Sequence, residues 1–211
     1  MSGLNKILIF GGAFNPPHIA HLKILQKAIE FIKPQQTIVC VDKISPWKDS
    51  GMLAPYKYRV DMVNNLLLDQ VRYDIYPNKN NLVYTCDIIK EIHEQNIDAE
   101  LFFLVGQDQY EVITSWNNYE TINSLCTIVC YKRGGKKITR LNDKHIILSA
   151  HEIKCSSSDL RTSLKLEDLG QKNFNYIKDN GLYIEAKIRP YLTQRRYEHT
   201  LRVLDTVTKI A

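Results

Sequence analysis

The chain has 211 residues, 44% hydrophobic and 24% charged, which suits one medium domain with a buried core and excludes a disordered chain. No apolar run approaches membrane-helix length and the start MSGLNKILIF lacks a signal-peptide pattern, so the expected compartment is the cytoplasm, with no membrane partner. The net charge of +5 sits in the tail: residues 186–211 carry six basic and two acidic side chains, leaving residues 1–185 at +1, too little to predict nucleic-acid binding.

In chain order, short β-branched runs alternate with helix-like stretches. Lys6–Phe10, Thr37–Val41, Val71–Tyr76, Leu101–Val105, Thr127–Tyr131 and His145–Ser149 read as strands, several apolar on both faces as in a parallel sheet. Helices are expected near His18–Ile32, Pro55–Leu68, Thr85–Gln95, Tyr119–Leu125 and Ser157–Leu166. The alternation predicts an open, doubly wound, mostly parallel α/β sheet, with ligands binding beyond the strand ends. A boundary is expected near Gly181–Arg189, separating a domain over 1–185 from a helical extension over 186–211. In the extension Leu192, Tyr197, Leu201, Leu204 and Val207 recur at helical spacing. The five cysteines lie mostly in apolar runs without a CxxC pair and read as small buried hydrophobes.

The segment Gly11–His21 (GGAFNPPHIAH) joins the first strand to an amphipathic helix. Gly11 and Gly12 let backbone approach a ligand closely, and the free N–H groups at the helix start favour an anion such as phosphate. His18 and His21, three apart, share one face of the first turn. Neither a P-loop GxxxxGKS/T nor a dinucleotide GxGxxG is present. Two histidines alone do not make a catalytic zinc site, and no metal-binding residues are expected. A bare HxxH would read as two surface histidines; the whole string after a strand reads as a phosphate loop.

On these residues the chain resembles the HxGH nucleotidyltransferases, and within them bacterial nicotinate-nucleotide adenylyltransferases, over about residues 6–184. The resemblance implies a Rossmann-like nucleotidyltransferase fold. The family loop usually reads GGTFDPxHxGH or GGSFDPxHxGH; here Ala13, Asn15 and Ala20 depart from it, and both histidines are kept. Cys155-Ser156-Ser157-Ser158-Asp159-Leu160-Arg161 is a helix start with a capping-box pattern and also resembles the family's SSTxIR motif. The resemblance places Gly11, Gly12, Ala13, Phe14, His18, His21, Gly106, Asp108, Ser156, Ser157, Ser158 and Arg161 around ATP, with Asp108 accepting from the ribose. Lys48, in Ser45-Pro46-Trp47-Lys48, matches a family position for a cation near the phosphates. Val83-Tyr84-Thr85 matches the family's SYT, and Trp116 lies in a matching tryptophan stretch, implying that Thr85 and Trp116 contact the pyridine mononucleotide. Asp42-Lys43 stands where the family commonly has asparagines.

The implied reaction is attack of a mononucleotide 5′-phosphate on the α-phosphorus of ATP, in line, without a protein nucleophile. His18, His21, Lys48 and Arg161 would hold the triphosphate, and Mg²⁺ would arrive with ATP. Nicotinate mononucleotide is the expected acceptor; nicotinamide mononucleotide or phosphopantetheine are alternatives, and a non-catalytic nucleotide sensor is a reading from another class. Arg196-Tyr197-Glu198-His199-Thr200 resembles the opening helix of an HD-type phosphohydrolase, which suggests a piece of a longer, fused protein. The later His-Asp pair and further Asp of that family are absent, so His199 alone makes no metal site.

Overall fold

The computed structural model describes residues 5–43, 53–132, 138–149, 154–184 and 191–210. In order they form β1 (Asn5–Gly12), α1 (Ile19–Ile32), β2 (Gln36–Val41), α2 (Tyr56–Leu67), β3 (Asp74–Ile75), α3 (Thr85–Gln95), β4 (Ala99–Gly106), α4 (Gln107–Tyr110), a 3-10 turn (Ile113–Ser115), α5 (Tyr119–Leu125), β5 (Cys126–Lys132), β6 (Ile146–Ser149), α6 (Ser157–Thr162), α7 (Leu166–Asp179) and α8 (Gln194–Ile210). The strands build one sheet in the order β3-β2-β1-β4-β5-β6, and every adjacent pair is parallel.

Period-two alternation sorts the core into two layers. Ile7, Ile9, Ile38, Leu101, Phe103 and Val105 pack with Ile88, Ile89 and Ile92 of α3 and Ile122 of α5. Their neighbours Leu8, Phe10, Val39, Phe102 and Leu104 pack with Leu22, Leu25 and Ala28 of α1 and Val63 and Leu67 of α2. Both faces are covered, which is why these strands read as unbroken apolar runs. Strand order reverses between β1 and β4, whose registered pairs run from Asn5↔Ala99 to Phe10↔Leu104. A crevice therefore opens beyond their carboxyl ends, at Gly12 and Gly106.

Two sequence expectations need correction. The strand over Val71–Tyr76 shrinks to Asp74–Ile75, because the Val71 N–H still donates to the Leu67 carbonyl in the closing turn of α2. The helix over Ser157–Leu166 stops at Thr162, and α7 follows without having been expected. Gly170, at φ 74°, breaks the α7 period, so its apolar face is invisible to a regular helical pattern. Contacts supply the order instead. Leu169 and Ile177 pack with Ala20, Met62 and Leu160; Asn173 Nδ2 donates to the Met62 carbonyl and Tyr176 Oη to Asp61 Oδ2. On α8, Tyr197 and Leu201 are half-buried and His199 is exposed; of the boundary expected near Gly181–Arg189, the part from residue 185 onward lies outside the described residues. No described helix is long and apolar enough to cross a membrane.

Candidate active site

The segment after β1 is held through its carbonyls. The Asp42 N–H donates to the Gly12 carbonyl at 3.0 Å, and Arg59 Nη1 to that of Ala13 at 2.7 Å. Arg161 Nη1 donates to the Asn15 carbonyl at 2.8 Å, and Ser157 Oγ to that of Pro16 at 2.8 Å. A trans peptide points its N–H opposite its C=O, so the Ala13 and Phe14 N–H groups turn away from the donors that hold the Gly12 and Ala13 carbonyls. Phe14 adopts φ 46°, a left-handed conformation that costs a non-glycine residue about 1–2 kcal/mol. Its ring is wedged edge-on against Phe10 and His21, which holds it there. At Gly11 an added Cβ would lie 3.3 Å from Phe103 Cε2, so any larger residue would need the ring to shift by a few tenths of an ångström.

His18 is the N-cap of α1 rather than part of its first turn, a one-residue difference from expectation. It is 2% exposed, and its ring centroid lies 3.9 Å from that of His21. The His18 N–H donates to His21 Nδ1 at 3.2 Å. With Nδ1 accepting, the proton of a neutral His21 resides on Nε2, which makes Nε2 the donor available to an anion.

The serine motif starts α6 as its capping pattern indicates: Ser156 Oγ accepts from the Asp159 N–H at 3.2 Å. The same motif docks on the first loop. Besides Ser157 Oγ on Pro16, Arg161 bridges the Asn15 carbonyl and Ser158 Oγ. Asn15, the departure from the family aspartate, is 3% exposed, and its Oδ1 accepts from the Ala54 N–H and Tyr183 Oη. Contacts between residues 141 and 146 positions apart in the chain thus join the two segments into one braced unit.

Arg59 is the residue that sequence reading missed. A signal existed: within YKYRVDMV it occupies the same helical stripe as the buried Met62, Val63 and Leu67. A charge on a core-facing stripe marks either an error of register or a purpose.

Across the crevice, Gly106 ends β4 and Asp108 lies exposed in the first turn of α4. Behind them runs a one-way hydrogen-bond chain. The Leu141 N–H donates to Tyr110 Oη, whose hydroxyl meets His145 Nδ1 at 2.9 Å, while His145 Nε2 meets Asn123 Oδ1 at 3.0 Å. Asn123 Oδ1 only accepts, so Nε2 carries a proton, and neutral His145 then accepts the Tyr110 hydroxyl proton in a hydrogen bond at Nδ1, leaving every group in the chain paired. Burial lowers the His145 pKa, with Lys144 and Arg140 adding to the effect. The unfolded imidazole titrates near 6.5, so between that value and the lower folded one the unfolded chain binds more protons. This contribution to stability is present above about pH 6.5 and lost as pH falls through the folded pKa. Denaturant unfolding from pH 7.5 to 5 is expected to show that decline, and His145→Gln is expected to flatten it; identical slopes for both proteins would refute the assignment.

Thr85 opens α3 and is half-buried. Next to it, Cys86 Sγ lies 3.5 Å from Asn117 Oδ1, which brings the Thr85 segment beside the Trp116 segment. Trp116 is half-buried and packs edge-on against Phe103, centroids 6.2 Å apart, the ring that also limits Gly11. Lys43 Nζ donates to Asn81 Oδ1, tying the end of β2 to the segment before α3. Lys48 lies outside the described residues. All five cysteines are free and buried, and burial pushes the Cys126 and Cys130 thiols up to about 12, which removes them from nucleophilic roles.

A parallel sheet in this order, with a glycine-rich loop entering a helix at the switch point, is an α/β fold of the Rossmann-like type. The chain belongs to the cytidylyltransferase-like family, whose model matches residues 9–163. A probable nicotinate-nucleotide adenylyltransferase from Shouchella clausii is 31% identical over 76% of this chain and 85% of its own length. A probable nicotinate-nucleotide adenylyltransferase/Ap4A hydrolase from Mycoplasma genitalium is 30% identical over 94% of this chain, and a protein of the same name from Mycoplasma pneumoniae is 28% identical over 93%. This chain spans 58% of the length of each Mycoplasma relative. Among solved structures, Plasmodium falciparum nicotinic acid mononucleotide adenylyltransferase complexed with NaAD superposes with a TM-score of 0.70. It is 20% identical over 85% of this chain and 97% of that one.

Proposed function

We propose that this chain transfers the adenylyl group of ATP to nicotinate mononucleotide, releasing pyrophosphate and forming nicotinate adenine dinucleotide, a step of NAD biosynthesis in the cytoplasm. The observation that carries the reading is the braced pair of motifs at the switch point: the Gly11–His21 loop with its carbonyls tied back, joined to Ser157 and Arg161. The names of the bacterial relatives support the choice of acceptor.

The loop N–H groups, the His18–His21 pair and the remaining N–H groups of Arg161 receive the triphosphate and the charge that grows on it as pyrophosphate departs. The acceptor's 5′-phosphate oxygen attacks the α-phosphorus in line, so catalysis consists of positioning and charge stabilisation. Asp108 accepts from the ribose hydroxyls, and Thr85 and Trp116 receive the pyridine ring. Mg²⁺ accompanies ATP and withdraws electron density from its phosphates. The donors around the loop are amides, imidazoles and guanidinium groups. Mg²⁺ arriving with ATP would be held mostly by phosphate and water oxygens, as this small, strongly hydrated cation usually is at polyphosphates.

The test is pyrophosphate release with Mg-ATP and one acceptor at a time: nicotinate mononucleotide, nicotinamide mononucleotide or phosphopantetheine. Release is expected to be fastest with the first. Faster release with another acceptor would reassign the substrate, and none with any would favour a nucleotide sensor. The second activity in the Mycoplasma relatives' name supports reading residues 186–211 as the opening of an HD-type phosphohydrolase unit.

A further inference from the structure

Arg59 is 0% exposed, and its three hydrogen bonds among the described residues end on backbone carbonyls: Nε on Ala54 at 2.8 Å, Nη1 on Ala13 at 2.7 Å and Nη2 on Lys43 at 3.3 Å. These carbonyls belong to three chain segments: the turn after β1, the end of β2 and the approach to α2. The cation also sits in the first turn of α2, where the helix dipole disfavours positive charge. Burial works against the charged form and lowers the Arg59 pKa; the field of Asp42 opposes that effect, and Tyr56 offers its ring face at 5.9 Å. Neither is a hydrogen-bonded counter-ion. A wholly buried guanidinium with no carboxylate hydrogen-bonded to it among the described residues departs from the usual rule for buried charge, and such departures concentrate at functional sites.

The place of Arg59 explains the exception. By holding the Ala13 carbonyl, it turns the N–H of the same peptide, that of Phe14, to the opposite side and supports the left-handed Phe14 backbone. Its charge lies directly behind a loop that offers N–H groups to an anion, and low-dielectric surroundings let that charge act across the loop. We propose that Arg59 is the positioning residue of the phosphate loop, a buried cation that pins the Ala13 carbonyl and finds its counter-charge in the polyphosphate of the nucleotide. This rests on the reading of Gly11–His21 as the phosphate loop.

The two contributions separate by substitution. Arg59→Lys keeps the charge and loses the fork; Arg59→Gln loses the charge and keeps a short donor. Calorimetric titration with magnesium pyrophosphate is expected to show affinity weakened about tenfold in Arg59→Gln and within about threefold of wild type in Arg59→Lys. Steady-state kinetics are expected to show kcat lowered about tenfold in both, since neither rebuilds the three-carbonyl clamp. Wild-type affinity in Arg59→Gln overturns the proposal. So does an equal loss in both variants that tracks their loss of Tm, the result a purely structural arginine gives. If Arg59→Gln does not fold, Arg59→Lys decides alone: retained affinity with reduced kcat supports the proposal, and lost affinity overturns it. The functional reading fails separately, when the wild type binds pyrophosphate but releases none with any acceptor.

Discussion

Replacing His18 with alanine is expected to lower kcat by about 100- to 1,000-fold, the usual effect of deleting one preorganised donor to developing charge. The argument is geometric. His18 caps α1, where backbone N–H groups and the helix dipole already favour an anion, and its ring lies against that of His21, tilted by 37° at a centroid distance of 3.9 Å. The His18 backbone N–H also orients His21 by donating to its Nδ1, and that contact survives the substitution. His21 therefore keeps its Nε2 donor, and the expected loss isolates one imidazole. Because the ring is 2% exposed, its removal also leaves a small cavity; a cost of about 1–2 kcal/mol would lower Tm by only a few degrees in a domain of this size. Turnover from the pyrophosphate assay and Tm from thermal unfolding are read together. Wild-type turnover in a folded His18→Ala protein would remove His18 from the mechanism.

The second large effect is expected at Arg161. Its Nη1 holds the Asn15 carbonyl at 2.8 Å and its Nη2 reaches Ser158 Oγ at 3.2 Å, so it ties the glycine-rich loop to the serine motif. A hydrogen bond to a charged group contributes about 1.5–3 kcal/mol. Arg161→Ala is accordingly expected to lower kcat/KM by about 10- to 150-fold, mostly through KM for ATP as the loop loses its brace. Arg161→Lys is expected to recover little, because an ammonium cannot span the carbonyl and the hydroxyl as the planar fork does. Substantial recovery by lysine would show that charge alone matters at this position. Unchanged KM for ATP in Arg161→Ala would mean that the brace at Asn15 does not shape the nucleotide site.

These two residues were visible in the sequence for different reasons than the ones that now explain them. The histidines stood out through the string GGAFNPPHIAH, since glycine, proline and a helix start leave a local signature. Arg161 stood out only as the end of a serine motif whose local role is a helix cap. That Ser157 and Arg161 reach back to Pro16 and Asn15 is a long-range fact, and no local pattern encodes it. Arg59 shows the limit more sharply. Its sequence context marks a core-facing position, but the carbonyls of Ala13, Lys43 and Ala54 converge on it only when three segments fold together. The neutral Tyr110–His145–Asn123 chain is of the same kind, joining α4, the residue before β6 and α5.

By itself the sequence determined the alternation of strands and helices, the doubly covered parallel sheet and the position of the glycine-rich loop. Each rests on residues within a few positions of one another, where side-chain period and backbone freedom act directly. Tertiary structure decided the shortened β3, helix α7 and its attachment to Met62 and Asp61, and the joining of the glycine-rich loop to the serine motif. It also decided which polar groups are buried, because hydrogen bonding inside a core depends on distant partners brought into contact by packing.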